Sequence, residues 1–283
     1  MDGFSKRFSG AADEPLAMRG PLMGLFKTMP VPASLDDSLD MLKEDAVSHG
    51  IDPEELAANM EMASIAAENR VADGDTSMPA HYQAAITLYT AQFYNGESLY
   101  AVLNKLMRDA DRSKIKRVAK YVWLLMHALE LCPPYEGHMV FRGVKGLLSG
   151  YVPGLNCCWV QFSSTASSVE VQNEFLGQEG PRTFFSIELT TGRAREISKF
   201  SSHPQEREVL LPANTMLNVV AVLDMGHELS NVQLREVTPL DPIHVFKKWG
   251  ELPAPPSPLP PAPPSPGPIP APPVPGPGQP LLK

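Results

Sequence analysis

The sequence predicts an α+β domain, and three observations carry that expectation. Between residues 80 and 131 apolar residues recur at helical spacing. After "CPP" at 132–134 the pattern changes to short runs rich in Val, Phe, Ile and Leu, separated by Gly, Pro, Asn and Ser. Helices followed by a series of strands segregate the two kinds of element within one domain. The chain has 283 residues, 43% of them hydrophobic and 20% charged. That is enough apolar material for one sizeable core.

The elements follow in chain order. Residues 1–75 form a helical N-terminal extension. Within it, "SLDDSLDMLKEDAVSHG" predicts a helix capped by Ser34 and ended by Gly50. "DPEELAANMEMASIAAENRV" predicts a second helix, with Asp52 as cap, Pro53 at the first helical position, and Met60 and Met62 packing inward. Residues 76–240 form the main domain. "HYQAAITLYTAQFYN" and "ESLYAVLNKLMRD" predict helices on either side of Gly96. "SKIKRVAKYVWLLMHALEL" predicts one long helix capped by Ser113 and stopped by the prolines. The strands expected after Pro134 are "HMVFR", "CCWVQF", "TFFSIEL", "EVLLP", "MLNVVAVLD" and "ELSNVQLREV".

Residues 252–283 are roughly half proline, which withholds backbone donors and favours extended polyproline II. Such a tail serves either as a stiff spacer or as a ligand for a polyproline-binding domain. The net charge is −8, which argues against nucleic-acid or anionic-membrane partners. Cys132, Cys157 and Cys158 show no C-x-x-C or Cys/His pattern, so no metal site is expected and the thiols are read as buried or reduced. No apolar stretch approaches the roughly 18 residues of a membrane span. No leader-like apolar segment is recognised at the N-terminus, and a cytoplasmic setting is the expectation.

Four stretches in the main domain carry candidate chemistry. "VFRGV" sets Arg142 at the end of an apolar strand beside Gly143, a pairing that suits a phosphate group. "WVQFSSTASSVEVQNEFLG" runs from a strand into a hydroxyl-rich bend at Ser163, Ser164 and Thr165, and then into a helix. "FLGQEGPRTFFSIEL" sets Gly177, Gly180 and Pro181 in a loop able to close over a ligand. "HPQEREVLLP" carries Glu206 and Glu208 one residue apart. If that stretch is extended, the two carboxylates share a face about 6–7 Å apart and Arg207 points away. Each feature alone has a bland alternative: a salt-bridging arginine, a capped turn, a solvated strand edge.

Their order is what distinguishes them. The sequence resembles the arginine-specific, NAD-dependent mono-ADP-ribosyltransferases of the R-S-E class. The resemblance runs from Ala84 to Val237 and rests on "AAITLYT", "YAVLNKLMRD", "FRGV", "GYVPGLNCCWVQFSSTA" and "ISKFSSHPQEREVLLP". It implies the ADP-ribosyltransferase-like fold: N-terminal helices packed on two small antiparallel-rich sheets that form an NAD cleft. It also implies site roles. Arg142 and Gly143 would hold NAD, with Arg142 on its phosphates and ribose. Ser164, with Thr165, would position the catalytic Glu208, Glu206 would engage the acceptor arginine, and Phe185 would border the nicotinamide pocket. The sequence departs from the family where the third residue of the S motif is Ala166 rather than a hydroxyl residue. The implied function is transfer of ADP-ribose from NAD to a protein arginine. The alternatives are NAD hydrolysis, with water as acceptor, and an inactive scaffold acting through the tail.

Overall fold

A computed structural model describes residues 22–27, 29–169, 176 and 179–246, all within one compact unit, Met1–Trp249. The proline-rich tail, Gly177 and most of the helix expected after Ser168 lie outside the described residues.

The N-terminal half is helical. Leu35–Ser38 (α1) and Asp40–Glu44 (α2) are short, and a 3₁₀ turn at Ala46–His49 follows them. Where one helix was expected there are three pieces. Ser34 caps the first, its hydroxyl accepting from the Asp37 amide, and Gly50 ends the last at φ 79°. Pro53–Ala72 (α3) begins as expected: the Asp52 carboxylate accepts from the Glu54 and Glu55 amides, and Pro53 needs no partner at the first position. Met60 is buried, but Met62 is exposed, contrary to the packing role expected for it. Ala80–Thr90 (α4) is buried on every side from Gln83 to Thr90, so it is the central helix. Leu99–Arg108 (α5) is amphipathic, with Val102, Leu103, Leu106 and Met107 inward.

The expected long third helix is also broken. Arg112–Arg117 is 3₁₀, capped by Asp111 rather than Ser113, and Ala119–Glu130 (α6) starts after Val118. Buried Ile115 and Val118 pull the turn onto the core. That burial accounts for the break better than helix propensity does.

The C-terminal half supplies eight strands. They are Met139–Lys145 (β1), Asn156–Trp159 (β2), Ser163–Ala166 (β3), Arg182–Glu188 (β4), Arg195–Glu196 (β5), Glu208–Leu211 (β6), Thr215–Asp224 (β7) and Leu229–Val237 (β8). Their order is β2-β7-β8-β4-β1-β3-β6-β5. All pairings are antiparallel except β4 with β8. The two expected sheets are therefore two halves of one ladder, joined by a single pair, Phe141 opposite Ala166.

Two apolar clusters sit on either side of the β3–β6 half. One joins α1–α6 to Cys158, Val160, Phe162 and Leu210. The other joins the two sheet halves through Val140, Trp159, Phe185, Val209 and Leu211. Alternation explains the division: Val209 and Leu211 point one way and Leu210 the other. Cys157 and Cys158 are split in the same way. All three cysteines are buried and free. Among the described residues, no helix is long and apolar enough to cross a membrane.

Candidate active site

The candidate residues gather where the two sheet halves meet. Arg142 lies in β1, Ser164 and Thr165 in β3, and Glu208 opens β6. "SSTA" was expected to be a bend, yet it is a fully buried strand paired with β6. Register fixes the relations between these side chains. Ser164 lies opposite Leu210 and Ala166 opposite Glu208. Residues paired across a ladder share a face, and so do residues two apart along a strand, so Ser164 and Glu208 are diagonal neighbours on the side facing the helices. Thr165 faces the other way, and its hydroxyl donates to the Val209 carbonyl at 2.6 Å.

Arg142 is tied to the same strand, its Nη1 donating to the Ser164 carbonyl at 2.6 Å. Burial pulls its pKa down to about 10, opposed by the nearby Tyr89 and Glu208 and reinforced by Arg108. At neutral pH it remains a cation, held in a low-dielectric setting where its interaction with an anion is strong. Gly143 pairs with Phe184, and Arg142 with Phe185.

Phe185 lies in β4 opposite Arg142. Its ring is fully buried in the sheet core, edge-on to Tyr151 and Trp159 with centroids 5.2 Å away in each case. Phe184, half-buried and stacked on Phe141, occupies the opposite face of that strand.

The expectation of an extended E-x-E fails as geometry. Pro204–Glu206 forms a 3₁₀ turn, and Arg207 takes the left-handed conformation (φ 45°, ψ 47°) before β6 begins at Glu208. The two carboxylates thus project from different kinds of backbone, not from one strand face. Glu206 and Glu208 are both fully buried, whereas Arg207 is exposed. The turn reverses the chain so that residues 206 and 208 both point inward while the arginine between them points out.

What holds this loop was not evident from the motifs. Thr87 Oγ1 donates to the Phe200 carbonyl at 2.8 Å. The Ser202 amide donates to Thr90 Oγ1 at 2.8 Å, and the Ser202 hydroxyl donates to the Thr87 carbonyl at 2.9 Å. Arg70 Nη1 donates to Thr87 Oγ1 at 3.2 Å. The C-terminal turn of α4 is therefore the anchor for the segment that presents both glutamates. The only signal in the sequence is a T-x-x-T spacing, which puts two hydroxyls on one helix face.

Comparison with known proteins decides the family. A family model described as NAD:arginine ADP-ribosyltransferase matches residues 39–239. The chain belongs to that family. A Mycobacterium avium (strain 104) protein assigned as an NAD(+)–arginine ADP-ribosyltransferase is 34% identical over 154 residues, which cover 52% of this chain and 17% of the relative. The erythroblast NAD(P)(+)–arginine ADP-ribosyltransferase of Gallus gallus is 32% identical over 136 residues, covering 45% of this chain and 42% of the relative. The chain thus spans less than half the length of either relative. The crystal structure of the eukaryotic mono-ADP-ribosyltransferase ART2.2 superposes with a TM-score of 0.52 at 19% identity, over 79% of this chain and 93% of that one. That likeness shows an ADP-ribosyltransferase fold. Arg142, Ser164 and both glutamates fall inside the matched region.

Proposed function

We propose that this ADP-ribosyltransferase-family chain transfers ADP-ribose from NAD to the guanidinium of an acceptor arginine. The observation that carries the reading is the gathering of buried Arg142, Ser164, Glu206 and Glu208 at the junction of β1, β3 and β6. Buried ionisable groups are costly and persist where they do chemistry or are well paired. Domain boundaries at about residues 75 and 240 belong to the same reading.

Each group has a role its chemistry suits. Arg142 is a cation able to grip the pyrophosphate of NAD. The C–N bond between the ribose and nicotinamide breaks, and nicotinamide leaves with the electron pair. The ribose carbon passes through an oxocarbenium-like state. The Glu208 carboxylate stabilises that positive charge, a contribution of several kcal/mol, roughly a hundredfold or more in rate. Ser164, diagonal to it, limits where the carboxylate can sit. The acceptor guanidinium is protonated at neutral pH and so is a poor nucleophile. Glu206 accepts its hydrogen bonds and takes the proton as the new C–N bond forms. Because Glu206 is fully buried, the Pro204–Arg207 turn must shift for a protein arginine to reach it.

The proline-rich tail we read from composition alone as a segment for a polyproline-binding domain, with a cytoplasmic setting for the whole. The transfer reading is tested with labelled NAD and a protein acceptor. Label should appear on arginine with the wild-type chain and be lost in Glu208→Gln. Labelling unchanged in that variant would remove Glu208 from the reaction. Free ADP-ribose without labelled protein would favour hydrolysis instead.

A further inference from the structure

A second pocket, of about 600 Å³, opens between β5, the loop that precedes it and the segment Pro239–Phe246. Arg142, Ser164, Glu206 and Glu208 take no part in its lining. Its volume lies within the range of small-molecule sites. Two arginines line it, Arg193 and Arg195, with exposures of 8% and 2%.

Neither arginine forms an ion pair among the described residues. Arg195 spends Nε on the Leu129 carbonyl at 3.0 Å and Nη1 on the carbonyls of Gly192 (2.6 Å) and Ala194 (3.1 Å). Arg193 donates only from Nη2, to the Pro242 carbonyl at 3.2 Å. Its Nε and Nη1 are buried without a hydrogen-bond partner. The carboxylates nearby are committed elsewhere. Glu236 accepts from the amides of Thr190 and Thr191 at 3.0 Å each and from the Thr191 hydroxyl at 2.5 Å. Glu130 pairs with His244 at 2.7 Å.

Two adjacent buried cations with no direct ion pair are costly, because burial and mutual repulsion act against their charge and the nearby Glu236 and Glu130 carboxylates offset this only in part. Both effects are visible on Arg195, which is pulled down to about 10 chiefly by burial. A guanidinium offers planar paired donors that match tetrahedral oxyanions. Phe246 covers both, its ring centroid 5.5 Å from Arg193 and 4.6 Å from Arg195.

We propose that this pocket binds the phosphate group of a small phosphorylated molecule, held between Arg193 and Arg195. The volume exceeds that of a bare phosphate and leaves room for a sugar or nucleoside beside it. The Pro242 carbonyl and the Phe246 ring form the lid over the guanidiniums, so binding displaces the segment that leads into the proline-rich tail. The inference stands apart from the transfer reaction, since it uses none of its residues.

The experiment is calorimetric titration of the full chain with ribose 5-phosphate and with ribose, alongside inorganic phosphate. Saturable binding of both phosphates, absence of ribose binding, and at least a tenfold loss of affinity in Arg193→Met are expected. Arg142→Met should leave one phosphate-binding event intact. No saturable phosphate binding by the wild-type chain would overturn the proposal. So would binding that Arg142→Met abolishes and Arg193→Met leaves unchanged, because the phosphate would then occupy the NAD cleft. Arg195→Met removes bonds that tie β5 to α6 and risks the fold. Arg193, with one hydrogen bond to lose, keeps the test interpretable, and circular dichroism checks it.

Discussion

The seam between the two sheet halves and the core around α4 and α6 are equally buried, yet they are built from opposite materials. Around α4 and α6 the interior is mostly Leu, Ala, Met and Tyr, with Gln83, Thr87 and Thr90 as uncharged exceptions: Leu88, Leu124, Leu125 and Leu129 have no measurable exposure. At the seam the buried side chains are Arg142, Ser163, Ser164, Thr165, Glu206 and Glu208. Apolar burial stabilises a fold at about 25 cal/mol per Å². Burial of charges does not, because desolvation offsets the Coulomb gain. The contrast teaches that the helical platform holds the molecule together and the seam spends part of that stability on buried polar and charged groups. Substitutions should separate the two: seam variants lose activity at near-constant stability, and platform variants do the reverse.

The largest expected effect concerns burial itself. Cys132 and Cys157 are each pushed up to about 12 and Cys158 to about 11, in every case chiefly by burial. Two of these thiols belong to the helical cluster and one to the sheet cluster. Thiolate is the reactive form, so disulfide-exchange labelling of the folded chain near neutral pH should be slower than that of the unfolded chain, by about a thousandfold at Cys132 and Cys157 and about a hundredfold at Cys158. The linkage has a sign. The unfolded thiols ionise first, so their contribution to stability should be constant below about pH 9 and fall as the pH rises from there toward 12. Rapid labelling of one cysteine alone would show that its cluster opens independently of the other.

Next comes the pair that breaks the comparison if it fails. Glu208→Gln should lower ADP-ribosyl transfer roughly a hundredfold or more while leaving the melting temperature nearly unchanged. Leu124→Ala should cost about 2–5 kcal/mol of stability, read by urea denaturation, with the specific activity of the folded fraction retained. A smaller effect is expected of Thr87→Val. It removes the hydroxyl that donates to the Phe200 carbonyl and should cost on the order of 1 kcal/mol. Its distinguishing mark is a raised KM for a protein acceptor with nicotinamide release retained, because the loop carrying Glu206 loosens. The smallest is Arg207→Gly. Relief of left-handed strain, about 1 kcal/mol, is offset by the flexibility of glycine, so stability should change by less than about 1 kcal/mol.

Much of the platform was legible in the sequence, because its signals are local. Asp52 and Pro53 announce α3, and helical spacing announces α4, α5 and α6. The breaks at Leu39 and Val118 were not, since the apolar pattern runs through them and only burial of their neighbours bends the chain. At the seam the identities of the candidate residues were legible through their order, but their geometry was not. Ser163–Ala166 looks like a bend because serine is a weak strand former, and it becomes a strand by pairing with β6. The extended E-x-E was wrong for a reason partly present in the sequence: Pro204 suits the first position of a helical turn. The left-handed Arg207 that completes the turn leaves no such signal. The resemblance sets Phe185 at the nicotinamide pocket, and alternation along β4 puts its ring in the sheet core and Phe184 on the other face.

The central claim is that the two glutamates have different tasks. The direct measurement is simultaneous quantification of released nicotinamide and of ADP-ribosylated agmatine for the wild-type chain, Glu206→Gln and Glu208→Gln. The account predicts that Glu208→Gln loses both products, whereas Glu206→Gln loses the agmatine adduct and still releases nicotinamide. Equal loss of both products in the two variants, or full adduct formation by Glu206→Gln, would contradict it.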